Sequence, residues 1–124
     1  EKKRDDKFLK EYPDIRQKIV SLATDVERAK MLQRKVLCIA LKGTVPTSEA
    51  AMFKLFSTEL HQKIANIALD ILSWEGLFHK DGKDAIEEGK WEWSYRGTLV
   101  DTIGAGASEI QKNTIAKKAL NLPL

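Results

Sequence analysis

The sequence predicts an all-α domain of two long and two shorter helices, forming a bundle or part of one. Three observations predict it. Apolar residues recur at spacings of 4, 3, 4 and 3 through Ile15, Ile19, Leu22, Val26 and Ala29, the period of one helix face. A second stripe, Met52, Phe53, Phe56, Leu60, Ile64, Ile67, Ile71 and Leu72, keeps helical spacing further on. Only the turn Thr44-Val-Pro-Thr-Ser48 separates the two, and so short a connection between long helices implies antiparallel neighbours.

Residues 1–10 are dominated by charge and read as an exposed lead-in. Tyr12-Pro13-Asp14 starts the first helix, with Pro13 at the first helical position and Asp14 favouring the dipole. Leu32 or Gln33 continues its stripe, and Val36 and Ile39 extend it. Lys42-Gly43 ends it, a basic last turn followed by a capping glycine. Thr47 or Ser48 is expected to cap the second helix, with Glu49 in its first turn and the end near Ser73. The segment 74–89 holds three glycines and alternating charge. It is expected to be a loop with local structure, because Trp74, Leu77, Phe78 and Ile86 need cover. A third helix follows over 91–103, with its aromatics clustered at the N-terminal end, a pattern of core or interface.

The last twenty-two residues hold most of the functional information. Gly104 and Gly106 interrupt the third helix and allow a close backbone approach. Ser108 with Gln111 has the spacing of a capping box, so a fourth helix starts there. Ile110, Ile115, Ala119 and Leu122 lie roughly on one face, and Pro123 stops the helix. A glycine loop feeding a helix N-terminus presents free N–H groups and the positive end of a dipole to an anionic or carbonyl oxygen. The same pattern also serves as an ordinary interhelical turn.

The bulk properties remove several classes. The chain has 124 residues, 43% apolar and 31% charged, with a net charge of +3. Basic and acidic residues are interspersed, which is a solvated surface and not a nucleic-acid stripe. No run approaches the roughly 18 apolar residues of a membrane span, and no signal peptide is visible. The single Cys38 excludes an internal disulfide and a cysteine metal site within these residues. It lies in an apolar run and reads as a buried, inert thiol in a reducing cytoplasm. His61 has no second ligand one turn on, and His79 reads as solvent-exposed, so no metal site is expected. No catalytic triad or phosphate-binding loop is present.

As a whole, Gly104-Ala-Gly-Ala-Ser-Glu-Ile-Gln-Lys-Asn113, closing on Ala119-Leu-Asn-Leu-Pro123, resembles the C-terminal signature of acyl-CoA dehydrogenases. That signature is a small-residue run, Thr-Ser-Glu-Ile-Gln-Arg-Asn, a helix and a Gly-Leu-Pro-like end. Upstream, Trp91-Glu-Trp-Ser-Tyr-Arg96 with Thr102-Ile103 is similar to a bacterial branch of the family. Ser48-Glu-Ala-Ala-Met-Phe-Lys54 with Ser57-Thr-Glu-Leu-His-Gln62 resembles its middle helix, and Asp14-Ile-Arg16 to Val26-Glu27 the helix before it.

The resemblance implies an up-and-down four-helix bundle that lacks its first helix, with residues 1–124 a single C-terminal domain of a larger three-domain flavoprotein subunit. It implies FAD held between domains and between subunits of a homo- or hetero-oligomer, dimer or tetramer, of related chains. The implied chemistry, a step of fatty acid metabolism, is α,β-dehydrogenation of an acyl-CoA thioester. A carboxylate takes the α-proton and the flavin takes the β-hydride. Many members carry the base one residue before the glycine at Gly106; here Ala105 stands there, so no catalytic residue is implied in this chain. Ala105 and Gly106 are the implied substrate contacts, through the Ala105 N–H. Ala107, Ser108 and Glu109 are the implied flavin contacts, with Ala107 replacing the family's Thr. Asp70 and Trp74 fall where other members have Gln-x-x-Gly-Gly against flavin of the adjoining subunit, and Lys2 falls near a basic flavin contact. Arg96 reads as a structural ion-pair former. The isolated residues are expected to be inactive. The alternatives are a non-catalytic partner subunit in a mixed assembly, and a same-fold flavin monooxygenase.

Overall fold

The computed structural model describes residues 11–123. Lys2, the charged lead-in 1–10 and Leu124 lie outside the described residues. The described residues form four α-helices and no strands: α1 Pro13–Leu41, α2 Thr47–Leu72, α3 Lys90–Ile103 and α4 Ser108–Ala119. Short turns, Ser73–Leu77 and Ile86–Gly89, join α2 to α3.

The α1 stripe is as predicted. Ile15, Ile19, Leu22, Val26, Ala29, Leu32, Val36 and Ile39 are its half-buried apolar residues, with Leu32 and not Gln33 in the stripe. Pro13 opens the helix and Gly43, at φ +78°, follows its end. Lys42 is the capping residue itself, so the last turn carries no basic side chain. Cys38 is exposed, a correction to the buried thiol. The apolar run that suggested burial is helical, so Cys38 turns off the stripe that Val36 and Ile39 share.

Ion pairs fix the antiparallel register of α1 and α2. Lys18 meets Asp70 at 2.8 Å, Asp25 meets Lys63 at 2.7 Å and Lys35 meets Glu49 at 4.0 Å. Lys63 also donates to the Ser21 hydroxyl. Asp25 is the most enclosed of these carboxylates, its side chain 13% exposed. The Lys63 hydrogen bond holds Asp25 below its ordinary value, against desolvation, with the Lys63 charge and Arg28 adding to it. A depressed carboxylate stabilises the fold above its unfolded pKa and loses that contribution as pH falls through its folded pKa. Acid unfolding therefore has a component below about pH 4 that Asp25→Asn removes. Thermal midpoints read against pH should fall less steeply there in the variant.

Helix α2 is the centre of the bundle and packs against α1, α3 and α4. Ala51, Leu60, Ala65 and Ile67 on α2 form the buried apolar core, and Thr98 on α3 is fully buried. The Thr98 hydroxyl donates to the Tyr95 carbonyl at 2.7 Å. Gln62 Nε2 donates to the Thr98 carbonyl at 3.4 Å, tying α2 to α3. The cap of α2 differs from expectation. Pro46 takes the capping position and Thr47 is already helical, with no side-chain cap. Ser48 instead donates to Glu49 at 2.9 Å. Glu49 is held below its ordinary value by its own backbone N–H first and by this hydroxyl second.

The segment after α2 has the local structure expected but less cover. Phe78 and Ile86 are half-buried, whereas Trp74 is 65% and Leu77 61% exposed. Trp74 stacks edge-on against Phe78 at 5.5 Å. In the turn before α3, Glu87, Glu88 and Gly89 all take left-handed backbone, at φ +49°, +57° and +67°. The aromatic cluster on α3 is surface: Trp93 is 67% exposed, while Trp91 is half-buried and donates to Glu87 at 3.0 Å. Arg96 pairs with Glu92 one turn back at 2.6 Å, the ion-pair role read from the sequence.

The packed face of α4 is also corrected. Gln111, Thr114, Ile115 and Ala116 are half-buried, and Ile110 is 56% exposed. Gln111 is drawn toward the loop before the helix, and that sets the rotation of α4. The helix stops at Ala119, ahead of Pro123. Asn121 is left-handed at φ +52°, and the Leu122 N–H returns to the Ala116 carbonyl at 3.0 Å, a helix-terminating turn in which Asn replaces the usual glycine.

Candidate functional site

The loop between α3 and α4 is built by backbone conformation. The Gly104 N–H donates to the Val100 carbonyl at 2.8 Å, closing α3. Gly104 then extends, at φ −60° and ψ 148°. Ala105 is left-handed at φ +54° and Gly106 at φ +96°. An alanine in that region is disfavoured by roughly 1–2 kcal/mol, so surrounding contacts must hold it.

Two side chains do so. Lys54, half-buried on α2, donates to the Gly106 carbonyl at 2.7 Å. Gln111 donates to the Ala105 carbonyl at 3.1 Å and the Gly106 carbonyl at 3.3 Å. Gln111 is therefore not half of a capping box with Ser108. Ala107 is the capping residue, Ser108 is the first helical residue, and no side-chain cap forms. The chain leaves Gly106 so sharply that Ala107 becomes the extended residue before the helix, at ψ 157°.

The structure brings Ala105, Gly106, Ala107, Ser108 and Glu109 together at the α4 N-terminus. Ser108 is half-buried and Glu109 exposed in the first turn. The first amides of a helix lack intrahelical acceptors, so the site is a small set of N–H donors at a positive dipole end. Asp70 and Trp74 are not part of it. They lie at the far end of α2 from Lys54, about 24 Å along the helix at ~1.5 Å per residue. Asp70 is tied to Lys18. Ser73 before Trp74 leaves the helical region at φ +56° and ψ −146°, which ends α2, and the Trp74 ring is exposed.

The Lys54 clamp and the second use of Gln111 did not follow from sequence. Lys54 stood out only as one residue of a family-like helix, and its target is 52 positions away. A further polar cluster was also missed. His61 Nδ1 lies 2.8 Å from Asp101 Oδ2 on α3, beside an open cavity of about 390 Å³ floored by Leu60 and Ile64. His61 has no such partner one turn on along its own helix, and Asp101 reaches it from α3. Among the described residues there is no group of three or more potential metal ligands, and no described helix is long and apolar enough to cross a membrane.

The fold is that of a known helical domain. It superposes on a solved structure titled Tcur3481-Tcur3483 steroid ACAD with a TM-score of 0.87 at 24% identity, covering 97% of this chain and 31% of that one. The ChsE4-ChsE5 complex from Mycobacterium tuberculosis gives 0.79 at 22% identity, over 89% of this chain and 28% of that one. Residues 1–120 match the family model for the acyl-CoA dehydrogenase C-terminal domain, and the chain belongs to that family. Among curated proteins it is similar to the acyl-CoA dehydrogenase IpdE1 of Mycobacterium tuberculosis, 36% identical over 70 residues, covering 56% of this chain. The IpdE1 of Mycolicibacterium smegmatis is 29% identical over 111 residues, covering 90% of this chain. The matched segment spans only 17% and 26% of those two relatives.

The flavin that the family implies can be tested against these residues. At the loop they fit: a Cβ on Gly106 would stand 2.6 Å from Gln111 Nε2, so the glycine makes room for the Gln111 clamp, and the Gly106 and Ala107 N–H groups form no hydrogen bond among the described residues. The residues that would hold the flavin edge there are Ala107, Ser108 and Glu109, by main chain and by the Ser108 hydroxyl. At the end of α2 the fit is poorer, because Asp70 is already paired with Lys18 and the bulky Trp74 ring stands where the resemblance implies glycine.

Proposed function

We propose that this chain is the C-terminal helical-bundle domain of a larger three-domain flavoprotein subunit that dehydrogenates an acyl-CoA thioester at the α,β position, in a dimer or tetramer of related subunits. The observation that carries it is the loop: two successive left-handed residues, Ala105 and Gly106, against an open helix N-terminus. The Ala105 N–H forms no hydrogen bond among the described residues and is the donor to the thioester carbonyl. Preorganised donors of this kind stabilise the negative charge that develops on that oxygen as the α-proton leaves. Bound FAD would supply the hydride acceptor at the β-carbon. A methyl group at Ala105 cannot accept the proton, so the base comes from outside these residues.

The test uses the full-length protein with any partner that co-purifies. It is expected to carry flavin absorbance that bleaches on anaerobic addition of an acyl-CoA. Flavin that bleaches only with reduced nicotinamide would indicate the monooxygenase.

A second reading is a non-catalytic partner that completes a homologue's flavin site. Ala105, Ala107 and the paired Asp70 favour it, as does the description of one structural neighbour as a complex of two proteins. On that reading the protein purifies colourless alone, and an active homologue retains flavin only in its presence.

A further inference from the structure

Lys54 reaches from α2 to the loop and, with Gln111, occupies the carbonyls of two consecutive peptides, Ala105 and Gly106. No described peptide bond is cis. In a trans peptide the C=O and the following N–H point in opposite directions. Fixing the Ala105 carbonyl therefore fixes the Gly106 N–H, and fixing the Gly106 carbonyl fixes the Ala107 N–H. Both amides are turned away from the groups that clamp them. Lys54 adds more than geometry. A hydrogen bond from an ammonium is stronger than a neutral one, and polarising the Gly106 carbonyl makes the Ala107 N–H of the same peptide a better donor.

We propose that Lys54 is a positioning residue that, together with Gln111, holds Ala105 and Gly106 in the left-handed backbone that aims the Ala105 N–H at the thioester carbonyl and turns the Gly106 and Ala107 amides to the flavin edge. This rests on the thioester reading above. Lys54 touches neither substrate nor flavin; it acts through the backbone.

The experiment compares Lys54→Met and Lys54→Arg with wild type in the full-length protein. Two ligands are titrated: a non-reactive acyl-CoA thioester analogue, and a CoA thioether of equal length that lacks the carbonyl oxygen. Lys54→Met is expected to weaken the thioester about 10- to 100-fold and the thioether less than about twofold, with Lys54→Arg recovering most of the loss. Amide exchange in the peptide 103–111 should quicken about tenfold or more in Lys54→Met, because its bonded Gly104 and Gln111 amides flank the loop. Equal losses for both ligands, or unchanged exchange, would overturn the proposal. A wild-type protein that does not prefer the thioester would sink the parent reading, while the exchange data still decide whether Lys54 holds the loop. Should Lys54→Met fail to fold, Gln111→Ala removes the other clamp and is held to the same exchange and ligand outcomes.

Discussion

Gly89→Ala is expected to destabilise the fold by about 3 kcal/mol. Gly89 is buried, caps α3 and sits at φ +67°. A Cβ there would lie 2.5 Å from the Lys80 backbone nitrogen and 2.9 Å from His79 C and Lys80 Cα. Backbone cannot swing aside as a side chain can, so the 79–89 turn must move bodily. Two preceding residues, Glu87 and Glu88, are already left-handed, which leaves little slack to absorb the shift. The α3 axis is set by this turn, and the Gly104–Ala107 loop hangs from the other end of α3. The stability loss should therefore be accompanied by weaker ligand binding. Urea or thermal unfolding of the variant against wild type checks the first part. Gly43→Ala is the control: Gly43 is also at positive φ, +78°, but nothing lies within 4 Å of its missing Cβ. That change should cost only about 1 kcal/mol.

The second large effect is expected at Gly106→Val. The new side chain would displace Gln111 Nε2, 2.6 Å away, and would be β-branched at φ +96°. Because the displaced atoms are the end of a flexible side chain, the fold should lose only about 1–2 kcal/mol. Function should lose more. Without Gln111, the Ala105 carbonyl has no clamp and the left-handed alanine relaxes. Affinity for an acyl-CoA thioester is expected to fall about 100-fold, measured by calorimetry on the full-length protein. Gly43→Ala, at the far end of α1 from Pro13, should leave that affinity unchanged.

The sequence carried the helices well, for a physical reason. The α1 stripe is half-buried on one side only, so its residues alternate with solvent at the helical period and can be seen without any tertiary information. Helix ends were less legible, because backbone torsions and not side-chain types decide them. Ser108 has the chemistry of a cap, yet the turn at Gly106 puts Ala107 in that position. Asn121, not Pro123, stops α4. Cys38 shows the same limit in another form: a local apolar run suggested burial, and the helical face decided exposure. The candidate loop was legible as a place, from Gly104, Gly106 and the helix that follows. Its support was not, since Lys54 and the loop meet only when α2 and α4 pack together.

The central claim is that the Gly104–Ala107 loop receives a thioester carbonyl. A structure of the full-length protein, with its flavin and a non-reactive acyl-CoA bound, tests it most directly. The thioester oxygen is expected within hydrogen-bond distance, about 2.7–3.2 Å, of the Ala105 N–H, with Gly106 against the thioester. An acyl-CoA bound with its carbonyl away from the loop, or with the loop carbonyls released from Lys54 and Gln111, would contradict the account.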